Sequence, residues 1–221
     1  MSELLRLLLP ATLETLAMVS ASGLLAGTGG LLLGILLTVT APGRLYPAPL
    51  LHRLLSAVIN FGRSVPFIIL IVAVVPFTRL IAGTSIGTAA AIVPLVLGAL
   101  PYVARLVEAA LLEVDHGVVE AVVVMGARPW QVVVHAYLAE SLPALTRVVT
   151  VLLVTLVSYS AMAGTVGGGG LGDLAIRYGY QRFRPDVMAA TVVVLVTLVQ
   201  SLQTAGDRLA RRLDHRAPQA R

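Results

Sequence analysis

Gly167-Gly168-Gly169-Gly170-Leu171-Gly172 satisfies G-x-G-x-x-G, the spacing with which a backbone turn approaches the pyrophosphate of a dinucleotide. That chemistry needs a strand before the glycines and a helix after them. Here they separate two long apolar segments, so a flexible outer loop that moves as a cavity opens is the better reading. ATP hydrolysis through a P-loop needs a lysine, and all 16 basic residues of this chain are arginine. There is no cysteine, and His52, His116, His135 and His215 have no partner at metal-ligand spacing. No Ser/His/Asp set or carboxylate pair falls inside the apolar segments, which argues against an intramembrane enzyme. Two features remain. One is a charged pair, Arg105 and Glu108, at helical i, i+3 spacing. The other is a polar interruption from Glu113 to Pro143.

Composition sets the elements around that interruption. The chain is 57% hydrophobic and 12% charged, with a mean hydropathy of +0.92, whereas soluble domains carry about 25% charged residues. Lipid is the natural solvent for most of it. The net charge of +5 and pI of about 10.2 do not indicate nucleic acid, because the arginines are not gathered with aromatics on one face. They fit loop arginines held at a cytoplasmic membrane surface.

A helix crosses the hydrocarbon core with about 20 apolar residues. Segments near 14–40, 56–78, 86–112, 144–163 and 187–206 qualify. They predict an all-α membrane protein with five transmembrane helices in one domain spanning 1–221. Asn60 and Arg63 interrupt the start of the second segment, and Pro66 lies inside it. The first apolar run is too long for a signal-peptide core and lacks a clear cleavage site, so it reads as a retained span with an amphipathic start at the membrane surface. Its glycine pairs Gly23/Gly27 and Gly30/Gly34 have the small-xxx-small spacing that lets helix backbones approach.

An odd number of spans puts the termini on opposite sides. With the 113–143 loop in the cytoplasm, 11 arginines fall inside, Arg63, Arg105 and the C-terminal Arg208, Arg211, Arg212, Arg216 and Arg221 among them. Only 5 fall outside: Arg6, Arg79, Arg177, Arg182 and Arg184. The positive-inside rule then predicts an outer N-terminus and a cytoplasmic C-terminus.

Within the loop, Val118, Val119, Val122 and Val123 fall near one face of a short helix from Asp115 to about Met125, with Glu120 on the other. Gly126 suits its C-terminal stop. Pro129 suits the first turn of a second helix, where a missing N–H costs nothing. That helix, Trp130 to about Ser141, leads back to the membrane at Leu142-Pro143. Helix, tight turn and helix form a compact unit that can transmit a rigid-body push.

Glu120-Ala121-Val122 followed by Met125-Gly126-Ala127-Arg128-Pro129 resembles the "EAA" loop of ATP-binding-cassette (ABC) importer permeases. The match covers Glu120, Ala121 and Gly126, with Ala127, Pro129 and Gln131 as close neighbours. The family's Leu-Pro step ten residues after the glycine is missing at Leu138-Ala139, and a Leu-Pro follows at Leu142-Pro143. Arg63-Ser64-Val65-Pro66-Phe67, Pro76-Phe77-Thr78-Arg79, Tyr159-Ser160-Ala161-Met162 and Gly206-Asp207-Arg208 extend the resemblance, from about Glu14 to Arg208, to the permease subunits of methionine importers.

The resemblance implies a type I ABC importer permease in a bacterial inner membrane, carrying L- and D-methionine and lacking its own ATPase activity. Its partners would be a second copy of itself, two copies of a cytoplasmic ABC ATPase that binds ATP and Mg, and an extracytoplasmic methionine-binding protein or lipoprotein. The loop around Glu120, Ala121, Gly126, Ala127 and Pro129 would seat in the ATPase. No cofactor is expected in the chain itself. Ser158, Ser160 and Met162 are the candidates for the translocation pathway. Arg177, Tyr178 and Arg182, with Tyr180, are the candidates for contact with the binding protein. Two rivals stay open: a permease for another small solute, and an ion-coupled carrier. Against the carrier, the centres of the five segments hold no Asp, Glu, Lys, Arg or His.

Overall fold

The computed structural model describes residues 2–214; Met1 and residues 215–221, hence His215, Arg216 and Arg221, lie outside them. Every regular element among the described residues is helical: α1 (Ser2–Thr40), α2 (Pro49–Ser64), α3 (Phe67–Ala73), α4 (Val75–Ala82), α5 (Thr88–Leu112), α6 (His116–Val124), α7 (Pro129–Thr165), α8 (Gly170–Leu174, continued by a π-helical turn Ala175–Tyr180) and α9 (Pro185–Leu213). α7 also contains a π-helical turn, Val133–Leu138. Four helices, α1, α5, α7 and α9, are long and apolar enough to cross a bilayer singly.

The segment expected as a span at 56–78 is not one helix. α2 stops at Ser64, and α3 continues after a bend of 99°. Pro66 explains the break. Its ring disfavours helical geometry at the preceding residue, and Val65 is extended at φ −84°, ψ 121°. The first span is also longer than expected: α1 runs unbroken for 39 residues. That is about 58 Å at 1.5 Å per residue, against a hydrocarbon core of about 30 Å. Its start is a helical extension of the span.

α1 packs against both α5 and α7, and its glycines divide between them. A Cβ on Gly23 or Gly27 would meet Leu153 or Leu152 of α7, whereas one on Gly30 or Gly34 would strike Val103 or Val107 of α5. Met18, Leu95, Val103, Leu152 and Leu156 close the shared core. At the base of α5, Arg105 pairs with the buried Glu108 at 2.5 Å and donates to Asn60 of α2 at 3.0 Å. This is the i, i+3 pair anticipated from spacing, with a third member from another helix.

The glycine-rich segment is a packed corner, not the free loop expected. Gly168, Gly170, Leu171 and Gly172 are buried. Glu14 accepts from the amide of Gly170 at 2.7 Å, and Thr15 from that of Leu171 at 2.9 Å. Nearby, Arg184 ties the N-terminus to α9, 2.8 Å from Asp186 and 2.9 Å from Glu3. Hydrogen bonds to Asp186 and then Glu3 hold its guanidinium well above the usual arginine range.

Candidate functional site

The hairpin α6–turn–α7 is built by local rules. Asp115 caps α6, its side chain accepting from the Gly117 amide at 2.7 Å, which satisfies one of the unpaired amides of a helix start. Gly126 ends it at φ +81°, a conformation glycine takes at little cost. Pro129 opens α7, and the Gln131 side chain accepts from the Arg128 amide at 2.7 Å. Val119, Val132, Ala136 and Tyr137 lock the two arms together in the main core. The Ser141 hydroxyl donates to the Ala110 carbonyl at 3.1 Å, fastening the hairpin's foot to α5. The second arm does not end near Ser141 but runs without interruption into the span.

Glu120 and Ala121 are exposed, Gly126 forms the tip, and Ala127 and Pro129 sit partly buried behind it. Glu120 carries a 3.1 Å contact to His116. Of the four valines expected on one face, Val118, Val119 and Val122 pack inward and Val123 does not. At about 100° per residue, Val123 lies about 140° round from Val118. Val124, Met125 and Trp130 are 85%, 77% and 59% exposed, residues that the pattern reading did not assign to the tip. For Val124 and Met125 the signal was an apolar run, Val122 to Met125, too long for one helix face. The result is an exposed apolar tip with an acidic side, the kind of patch that marks an interaction surface.

The other candidates fall in two places. Ser158 and Met162 share a face of α7 and line a groove of about 560 Å³ with Leu195, Val196 and Val199 of α9. Ser160 points the opposite way, buried and donating to the Val157 carbonyl at 2.7 Å. Arg177 pairs with Asp173 at 2.6 Å. The Tyr178 ring has the Arg182 guanidinium at 4.2 Å and that of Arg177 at 5.5 Å, cation–π geometry. Beside them Phe183, not anticipated, is exposed at φ +53°. Among the described residues, no group of His, Asp and Glu could hold a metal ion.

Helices long and apolar enough to cross a bilayer, carrying an exposed hairpin, set the class as a membrane-spanning protein. Residues 30–217 match the family of binding-protein-dependent transport system inner membrane components, and the chain belongs to that family. It is 57% identical over 210 residues to the Vibrio cholerae protein named "Probable D-methionine transport system permease protein MetI", covering 95% of this chain and 93% of the relative. It is 50% identical over 217 residues to the Salmonella typhimurium "D-methionine transport system permease protein MetI", covering 98% and 100%. A chain of the MetNI methionine ABC transporter, solved in inward-facing conformations, superposes with a TM-score of 0.95 at 48% identity, covering 97% of this chain and all of that one. A chain of an amino acid ABC transporter shares the fold at a TM-score of 0.79 and 14% identity, covering 96% of each. The fold is that of a type I ABC importer permease.

Proposed function

We propose that this chain is the membrane-spanning subunit of an ABC importer that moves methionine, in its L and D forms, across a bacterial inner membrane into the cytoplasm. The exposed hairpin carries the reading. A chain without a single lysine has no P-loop of its own; on this reading its energy arrives by contact, and the exposed Val124, Met125 and Trp130 beside Glu120 offer the contact surface. The names of the relatives support methionine as the cargo. Two copies enclose the path. Two ABC ATPase subunits bind ATP and Mg and receive the hairpins, whose motions follow nucleotide-driven closure. A methionine-binding protein or lipoprotein docks outside, near Arg177, Tyr178 and Arg182. The N-terminus is outside and the C-terminus cytoplasmic.

The test is uptake of radiolabelled methionine into vesicles holding this chain with its ATPase and binding protein, against unlabelled amino acids as competitors. ATP-dependent uptake blocked only by methionine and close analogues is expected. Uptake without ATP would overturn the mechanism in favour of an ion-coupled carrier. ATP-dependent uptake of another solute, with methionine ignored, would discard the cargo.

A further inference from the structure

Against the α2–α3 bend lies a pocket of about 250 Å³, lined by Arg63, Val65, Phe67, Gly98, Tyr102 and Tyr159. Its depth follows from α5. Gly98 is ten residues from Thr88 and fourteen from Leu112. At about 1.5 Å per residue it therefore lies ~15 Å from one end of the span and ~21 Å from the other. α2 keeps register with α5 up to that point. Ile59 clusters with Ala104, Asn60 meets Arg105, and a Cβ on Gly62 would touch Pro101. Arg63, counted above with the cytoplasmic arginines, thus stands level with the middle of α5, about halfway across a hydrocarbon core centred on that span.

Two independent costs exclude lipid from this site. A guanidinium at mid-bilayer facing lipid is expensive, by roughly 2.5–3.5 kcal/mol on insertion scales. Non-helical backbone, here Val65 and Pro66, is tolerated at that depth only where protein or water meets it. The exposed apolar stripe of α2, Leu50, Leu54, Val58 and Phe61, lies elsewhere on the helix. Arg63 follows the buried Ile59 by one turn and shares its protein-facing side. Yet Arg63 is exposed, and among the described residues no carboxylate pairs with it.

We infer that Arg63 lines a water-filled path between two copies of this chain and, with Phe67, Tyr102 and Tyr159, forms a mid-membrane site for the carboxylate of a zwitterionic amino acid. This deepens, and rests on, the importer reading. Guanidinium and carboxylate match as a two-pronged, charge-assisted pair. The Phe67 ring lies flat on that of Tyr159, centroids 4.1 Å apart, and gives an apolar or thioether side chain an aromatic surface. The cavity is smaller than the roughly 300–1,000 Å³ of drug-sized sites, which suits one amino acid.

The chain has no cysteine, so Val65→Cys places a single thiol in the pocket wall. In vesicles of the assembled transporter, its modification by a charged, membrane-impermeant thiosulfonate is followed by the mass of this chain. Labelling is expected, slowed by L-methionine, with the slowing abolished when Arg63→Gln is added. In uptake, Arg63→Gln should lose roughly tenfold or more, the effect of one charge-assisted hydrogen bond, and Arg63→Lys should recover part of it. A thiol that never labels, or labels without protection by methionine, overturns the site, as does full uptake by Arg63→Gln. Should Arg63→Gln fail to assemble, labelling and protection of Val65→Cys alone decide. If unmodified vesicles take up no methionine, it is the functional reading that fails; if they do and the Arg63 variants match them, only this site fails.

Discussion

Glu14 of α1 accepts a hydrogen bond from the amide of Gly170, 156 residues away, at 2.7 Å. The amides of Gly170 and Leu171 open α8, where no helical carbonyl can reach them. Glu14 and Thr15 supply the acceptors, so the first span holds the glycine corner in place. Removing a cap of this kind costs about 1 kcal/mol, a fall of ~2–4 °C in melting temperature for a chain of this size. Glu14→Ala is expected to show that fall in detergent, and Glu14→Gln less, because it keeps an acceptor. Gly170→Ala should cost more than either: its φ is +75°, and a Cβ would lie 2.6 Å from the Thr15 hydroxyl. An unchanged melting temperature in Glu14→Ala would show the corner to be held by packing alone.

Gly126 tests the hairpin as a rigid transmitter. Its φ of +81° is closed to proline, which is fixed near −65°, and its amide donates to the Val123 carbonyl at 2.9 Å, a bond that proline cannot make. Gly126→Pro should therefore disorder the tip while leaving the membrane helices intact. The expected outcome is normal abundance in the membrane with ATP-dependent uptake abolished. Gly126→Ala, whose Cβ meets open space, should cost about 1–2 kcal/mol of local strain and keep partial uptake. Full uptake by a well-expressed Gly126→Pro variant would rule out the hairpin as the route of energy.

Gly34 brings α1 close against α5. A Cβ there would fall 2.5 Å from a Val107 methyl and 2.8 Å from the Ala104 carbonyl, and backbone cannot step aside as a side chain can. At Gly23 the obstacle is the far end of Leu153, at 3.0 Å. Gly34→Ala should therefore destabilise by about 1–3 kcal/mol as an overpacked core does, and Gly23→Ala by clearly less. Thermal unfolding of the purified chain in detergent separates the two. Equal effects would mean that α1 can shift on α5 as easily as on α7.

These glycines also show how far the sequence could be read. The spacing 23/27/30/34 announced a close-packed stripe, because small residues one turn apart share a face. It could not say that the stripe serves two neighbours, since a helix's partner depends on where the chain returns. The hairpin's stop and restart were legible, because Gly126 and Pro129 act on their own backbones; Asp115 was read as the first residue of α6 and is its cap. Trp130 and Met125 were not placed, as their exposure depends on which valines the core takes first. Pro66 was read as lying inside a span, because a proline that kinks a span and one that ends a helix look alike in sequence. Only the extended Val65 distinguishes them. Glu14 gave no signal, being a surface acid until Gly170 is folded against it.

Arg105 and Glu108 give the last contrast. Their pair is short, 2.5 Å, with the Glu108 side chain only 6% exposed and that of Arg105 27% exposed. Asn60 completes the arginine's contacts at 3.0 Å. Breaking a buried pair by removing one partner costs about 3–5 kcal/mol, because the other charge is left uncompensated. The partial exposure of Arg105 moves the expectation to the lower end of that range. Replacing both partners with apolar residues of similar size leaves no orphan and is often neutral. Glu108→Gln should therefore unfold in detergent well below the parent chain, while the double variant Arg105→Met, Glu108→Leu should recover most of the difference. If the double variant transports as well as it folds, the pair serves α5's packing on α2. If it folds but fails to transport, the charges themselves are needed during the cycle. If Glu108→Gln unfolds with the parent, the pair contributes nothing that water does not already supply.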